Sequence, residues 1–155
     1  MKDKKVAVLG LGVSNRPLVR LLLSFGCDVT GCDRTPRDKL DAEVLELEAA
    51  GCQLRLGDGY LDGVEADIVF RTPGMHPANP AIKALRNRGA EITSEMELFF
   101  ERCPAHMIAV TGSDGKTTTT TLISKMIEKK FGKVYVGGNI GAPLLPFVDE
   151  MTKDD

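Results

Sequence analysis

The sequence predicts an α/β fold: a Rossmann-like parallel sheet domain followed by the start of a P-loop α/β domain. Three observations carry the prediction. Short apolar or β-branched runs alternate with stretches of helical period. Two glycine loops each stand between such a run and a helix, and the alternation restarts near residue 94. Strands separated by single helices require parallel crossovers, hence a doubly wound sheet.

Strands are predicted at Lys5–Leu9, Asp28–Gly31, Gln53–Leu56, Asp67–Arg71 and Glu91–Thr93. Leu18, Leu21, Leu22 and Phe25 follow i, i+3, i+4, i+7 and share one face of a first helix. Val44, Leu45 and Leu47 with Ala49 and Ala50 form a second, closed by Gly51. Ala81, Ile82 and Leu85 form a third, closed by Gly89. These elements fill a first domain, residues 1–93.

Residues 94–155 read as the beginning of a second domain. Ser94 with Glu97 opens a helix of capping-box type, with Met96, Leu98, Phe99 and Phe100 among its apolar positions and Pro104 as its stop. A strand at Met107–Val110, a glycine loop and a helix from about Thr118 to Lys130 follow, the last lined by Leu122, Ile123, Met126 and Ile127. A further strand at Lys133–Val136 leads into GGNIGAP. Such a β-α-β piece cannot close a sheet of its own, so the carboxyl terminus reads as a truncation.

Composition narrows the partners. The 155 residues are 43% hydrophobic and 27% charged with a formal charge of -2, which supplies no general attraction for nucleic acid or an anionic membrane. No run approaches the roughly 20 apolar residues of a membrane span. Cys27, Cys32, Cys52 and Cys103 show neither CxxC spacing nor a disulfide framework, and His76 and His106 stand too far apart for a metal cluster. The expectation is a cytoplasmic protein with reduced thiols, no nucleic acid and no membrane. Any anion must be held locally, by loops and helix ends.

The first loop, Gly10-Leu11-Gly12-Val13-Ser14-Asn15, lies after a strand and before a helix. Gly10 allows a tight turn, and Gly12 lets backbone N–H groups approach a diphosphate at the helix amino terminus. Asp33, ending the second strand, can accept hydrogen bonds from ribose hydroxyls. The dinucleotide fingerprint would place a third glycine where Asn15 stands, which weakens a nicotinamide-dinucleotide reading and leaves phosphate binding intact.

The second loop is Gly112-Ser113-Asp114-Gly115-Lys116-Thr117-Thr118, of form GxxGKT, with Val110 at the outermost glycine position of the usual P-loop. Its glycines permit an anion nest for ATP phosphates. Lys116 supplies a compact charge to the β- and γ-phosphates and is the catalytic candidate. The Thr117 hydroxyl can ligate Mg²⁺, and Thr118 is expected to start a helix whose dipole favours negative charge.

GLGVS at Gly10–Ser14, the strand-end Asp33, TPGM at Thr72–Met75, SEMELF at Ser94–Phe99, TGSDGKTT at Thr111–Thr118 and GGNIGAP at Gly137–Pro143 together resemble the Mur ligases over essentially the whole chain. Within that family the pattern is similar to the branch that adds D-glutamate to UDP-N-acetylmuramoyl-L-alanine. The resemblance implies a first domain that binds the UDP-muramoyl substrate. Gly10, Gly12, Val13 and Ser14 would lie along it, Val13 and Ser14 by the uracil and diphosphate. Asp33, Arg34 and Thr35 would surround the uracil ring, with Gly74 beside the nucleotide and Asn139 reaching the substrate from the ATPase domain. ATP would phosphorylate the substrate carboxylate, and the amine of D-glutamate would then displace phosphate. The family's acidic magnesium ligand, histidine, carbamylated lysine and amino-acid-binding domain would fall beyond Asp155. Asp114 replaces a more usual asparagine, and Arg34-Thr35 inverts the usual polar-then-basic order.

Two other readings stay open at this level: a stand-alone module that binds a UDP-sugar or nucleotide without catalysis, and an NAD(P)-binding Rossmann domain. Asn15 and the GKT loop argue against the latter, since a dehydrogenase has no use for a P-loop.

Overall fold

The computed structural model describes residues 2–130, 133–138 and 143–155. The chain divides into two compact units, Met1–Leu98 and Phe99–Asp155, a boundary five residues beyond the one read from the sequence.

In the first unit five parallel strands, β1 (Lys5–Leu9), β2 (Asp28–Asp33), β3 (Gln53–Leu56), β4 (Ile68–Arg71) and β5 (Glu91–Thr93), line up in the order β3-β2-β1-β4-β5. β1 is central, and Val6 through Leu9 are each 1% exposed or less. Such a strand needs helices on both faces, which is why it reads as an unbroken apolar run. On one face Ala7, Leu9 and Val69 pack with Ile82 and Leu85.

The helices α1 (Asn15–Ser24), α2 (Ala42–Ala49) and α3 (Pro80–Asn87) connect the strands. α1 buries Leu18, Val19 and Leu22, and α2 buries Val44 and Leu47. Asn79 caps α3 by accepting the Ala81 amide at 2.9 Å, and Pro80 takes the first helical position, where no N–H is needed. Gly51 and Gly89 follow α2 and α3 with φ of +107° and +94°, a left-handed geometry that ends a helix at no cost only for glycine. Ion pairs from Arg16 to Asp41 and Glu43, and from Arg20 to Glu46, join α1 to the start and middle of α2.

Helix α4 (Glu95–Arg102) forms where the capping box predicts it. The Ser94 hydroxyl accepts the Glu97 amide at 3.3 Å and donates to the Glu97 carboxylate at 2.7 Å, so the acid reaches back to the hydroxyl rather than the backbone.

The second unit holds α5 (Lys116–Ile127) and a 3₁₀ segment Leu145–Glu150. Phe99, Leu145, Val148 and Met151 are its buried apolar residues. Two sequence expectations fail here. Residues 107–110 and 133–136 join no sheet and form no strand among the described residues. A strand exists by hydrogen bonding to a neighbour, and a parallel pair joined by one helix gains too little burial to form alone. For the same reason α5 buries no residue, leaving Leu122 and Met126 57% and 78% exposed on the apolar side read from the sequence.

Candidate functional site

Brought to the carboxyl edge of the parallel sheet are the loops after β1, β2 and β4. The strand order reverses between β1 and β4, and this switch point is where open α/β sheets form a ligand crevice. The Gly10–Ser14 and Thr72–Met75 loops meet there. Gly10 adopts φ +88°, and a Cβ on it would stand 3.3 Å from the Thr72 methyl. Glycine is thus required at Gly10 by backbone geometry and by the approach of its neighbour.

The loop is held from behind. Asp33 accepts the Leu11 amide at 2.7 Å through one carboxylate oxygen and the Thr35 amide at 2.8 Å through the other. Burial alone would raise its pKa. Those two amides, the Thr35 hydroxyl and the Arg16 charge prevail and hold it below the ordinary carboxylate range. Both oxygens expected to meet ribose or uracil therefore also fasten two loops, and each keeps acceptor capacity.

Leu11, 2% exposed, drives its side chain inward onto β2, where a Cβ at Gly31 would lie 2.9 Å from its Cδ2. Asn15 is the only buried polar residue among those described, and its side-chain amide donates to the Gly10 carbonyl at 2.7 Å. This explains the absent third glycine: the position serves as an internal fastening rather than a close helix–strand contact. Arg16 donates through Nε to the Leu11 carbonyl at 3.0 Å. With these bonds made, the amides of Gly12, Val13 and Ser14 have no acceptor among the described residues. Val13 stands 70% exposed, Arg34 is exposed, Thr35 half-buried, and Gly74 exposed with open space around it.

In the second unit, Gly112 and Gly115 take φ of +146° and +74°. Gly115 caps α5, which starts at Lys116, two residues earlier than expected, because the threonine run tolerates helix once the left-handed turn is made. The first helical turn leaves the Lys116, Thr117 and Thr118 amides without intrahelical acceptors. Lys116 folds back so that Nζ donates to the Gly112 and Ser113 carbonyls at 2.5 and 3.0 Å. Thr121 bonds back to the Thr117 carbonyl at 2.9 Å, which accounts for one member of the threonine run. Ser113, Asp114, Thr117 and Thr118 are exposed. Asn139 lies outside the described residues.

The thiols play no part in these loops. All four cysteines are free, and burial pushes Cys32 up to about 12 and Cys52 up to about 11. Among the described residues no cluster of potential metal ligands exists, and no helix is long and apolar enough to cross a membrane.

Sequence reasoning missed Leu11, Arg16 and Thr72. The Arg16 partners Asp41 and Glu43 open the following helix, and their shared sign at its start is the one sequence signal that pointed to them.

Fold and loops thus define a doubly wound α/β unit with a glycine turn at its first strand-to-helix junction, followed in the second unit by a glycine turn that opens α5. Residues 110–154 match the Mur ligase middle domain. The chain is 49% identical to the UDP-N-acetylmuramoylalanine–D-glutamate ligase of Clostridium botulinum strain Hall, over 99% of this chain and 34% of that ligase. It is also 49% identical to the ligase of the same name from Acetivibrio thermocellus, over 100% and 34%. Among solved structures it resembles the UDP-N-acetylmuramate-alanine ligase MurC of Thermotoga maritima, with a TM-score of 0.53 and 26% identity over 88% of this chain and 32% of that one. A murein peptide ligase from Psychrobacter arcticus gives 0.51 and 27% over 81% and 26%. Along its whole length the chain is similar to Mur ligases. It spans about a third of the length of the curated relatives it matches.

Proposed function

We propose that this chain carries the UDP-substrate unit and the ATP loop of a cytoplasmic, ATP-dependent ligase of peptidoglycan precursor synthesis that joins D-glutamate to UDP-N-acetylmuramoyl-L-alanine. The observation that carries the reading is the 49% identity to such ligases along 99% of the chain, which takes in both glycine loops. In this reading residues 1–93 bind the UDP-muramoyl substrate and residues 94–155 begin the ATP-binding domain.

The first loop offers the amides of Gly12, Val13 and Ser14 to the diphosphate. Val13 gives the uracil an apolar surface, Asp33, Arg34 and Thr35 surround the ring, and Gly74 borders the nucleotide.

In the second unit the residues fit ATP and Mg²⁺. The loop Gly112, Ser113, Asp114, Gly115 has the left-handed turns of an anion nest, and the Thr117 and Thr118 hydroxyls have no acceptor among the described residues. Thr117 would hold the metal, Thr118 and the first-turn amides the phosphates. When bound, ATP with Mg²⁺ supplies the phosphoryl group and neutralises its charge. Lys116 exchanges its two carbonyl partners for phosphoryl oxygens and stabilises the negative charge there.

Calorimetric titration of the chain tests the first half: UDP binds, and NADH does not. Binding of NADH with none of UDP sinks it. In the complete enzyme, Lys116→Ala abolishes ATP-dependent acyl phosphate formation and leaves UDP-substrate affinity nearly unchanged. Equal loss of both would show that the loops do not have separate tasks.

A further inference from the structure

Around the first loop, three successive carbonyls are each held by a donor from the start of α1. The Gly10 carbonyl receives Asn15 Nδ2 at 2.7 Å, and the Leu11 carbonyl receives Arg16 Nε at 3.0 Å. The Gly12 carbonyl receives the backbone amides of Asn15 and Arg16 at 3.0 and 3.2 Å. A trans peptide plane points its C=O and the next residue's N–H in opposite directions. Gripping the Gly10 carbonyl therefore aims the Leu11 N–H, which meets Asp33. Holding the Leu11 carbonyl aims the Gly12 N–H away from the protein, and holding the Gly12 carbonyl does the same for Val13.

Neither side-chain donor is free to turn elsewhere. Asn15 is 5% exposed, and its amide also faces the Leu9 carbonyl at 3.5 Å. The Arg16 side chain is 15% exposed, with its terminal nitrogens occupied by Asp41 and Glu43.

We propose that Asn15 and Arg16 are positioning residues of the diphosphate site, which aim the loop amides by holding the carbonyls of Gly10 and Leu11 and touch no ligand themselves. This rests on the reading of the first loop as a diphosphate site. The replacement of a glycine by Asn15 then has a purpose. It substitutes a hydrogen-bonded fastening for the close backbone packing that a dinucleotide fold obtains from glycine.

The test separates aiming from mere stability. Amide NMR spectra of the chain are recorded during titration with inorganic pyrophosphate and, separately, with UDP. Thermal midpoints are measured alongside. The expected result is that pyrophosphate shifts the Gly12 and Val13 amides in the unmodified chain. Arg16→Met and Asn15→Asp, which remove a donor, weaken pyrophosphate binding about tenfold. The double variant Asp41→Asn/Glu43→Gln loses the ion pairs, keeps the Arg16 Nε bond, and binds pyrophosphate within twofold of the unmodified chain even where its midpoint falls as far as that of Arg16→Met. Equal weakening in all three variants would reduce Arg16 to a stability role and overturn the proposal. So would full retention of binding in Arg16→Met and Asn15→Asp, or an unmodified chain whose Gly12 and Val13 amides ignore pyrophosphate. Pyrophosphate binding without UDP binding would instead defeat the nucleotide reading and leave the positioning role standing.

Discussion

Asp33 and Leu11 are joined by a 2.7 Å bond from the Leu11 backbone amide to the Asp33 carboxylate, and the other carboxylate oxygen takes the Thr35 amide at 2.8 Å. One side chain thereby couples the turn after β1 to the turn after β2.

Asp33→Asn is expected to destabilise the first unit by about 1–2 kcal/mol, because an amide has one acceptor oxygen and faces the second N–H with a donor. Partial exposure of the carboxylate keeps the loss at that modest level. Urea denaturation followed by circular dichroism checks it, and an unchanged midpoint would show that the two amides are equally well served by water.

The same bonds set an acid dependence. The folded-state pKa of Asp33 is depressed, so its contribution is fully present above the unfolded value of about 4. It is lost as pH falls through the lower folded value. Denaturation midpoints from pH 6 down to pH 3 should therefore drop more steeply for the unmodified chain than for Asp33→Asn. Parallel curves would mean that other carboxylates govern the acid limb.

Packing beneath the loop gives a prediction of a different kind. A methyl at Gly31 would sit 2.9 Å from Leu11 Cδ2 and 3.2 Å from Cys52 Sγ. Leu11 cannot easily retreat, since its amide and carbonyl are both engaged. Gly31→Ala should cost about 1–3 kcal/mol by overpacking. Leu11→Ala combined with Gly31→Ala should cost less than the two singly, because the added methyl occupies the space that the leucine vacates. Strict additivity in a double-mutant cycle would place the clash elsewhere.

Thiol reactivity should separate the four cysteines. Burial raises Cys27, takes Cys52 to about 11 and takes Cys32 to about 12, so the reactive thiolate is scarce at each near neutral pH. Half-buried Cys103 touches Met151 Sδ at 3.6 Å and is the most accessible of the four. Brief alkylation of the folded chain at pH 7.5, read by mass spectrometry, should label Cys103 first. Prior labelling of Cys32 or Cys52 would show that the β2–β3 edge opens on the timescale of the reaction.

Much of the first unit was legible in the sequence because its elements are stated locally. The runs Lys5–Leu9, Gln53–Leu56 and Glu91–Thr93 become β1, β3 and β5 with those ends, and Gly51 and Gly89 close their helices. β2 runs past the apolar run that stops at Gly31 and ends at Asp33, the residue read as closing the strand, because pairing of Leu9 with Cys32 and of Asp33 with Leu56 extends the ladder. The loop fastenings were not legible. Leu11 and Asp33 stand 22 residues apart, Arg16 and Asp41 25, and only the parallel register brings each pair together. Asn15 was read as a missing glycine, since its partner is a backbone carbonyl with no sequence signature. In the second unit the glycine loop and helix were legible from their own residues. Strands at 107–110 and 133–136 were not reliable readings, because a strand depends on a neighbour that local pattern does not report.

That dependence supplies the last prediction. Leu122 and Met126, one turn apart on α5, are 57% and 78% exposed, and Met107 and Ile108 are 47% and 59% exposed in the same unit. Apolar side chains that bury little area contribute little stability, and in a contiguous patch they favour association between copies. Leu122→Glu with Met126→Glu should leave the thermal midpoint of the 155-residue chain nearly unchanged, within roughly the 0.5 kcal/mol typical of surface substitutions. The pair should also reduce concentration-dependent association in sedimentation velocity. A fall in midpoint of more than that would show that α5 packs its apolar face against something in solution, and that the face is part of a core after all.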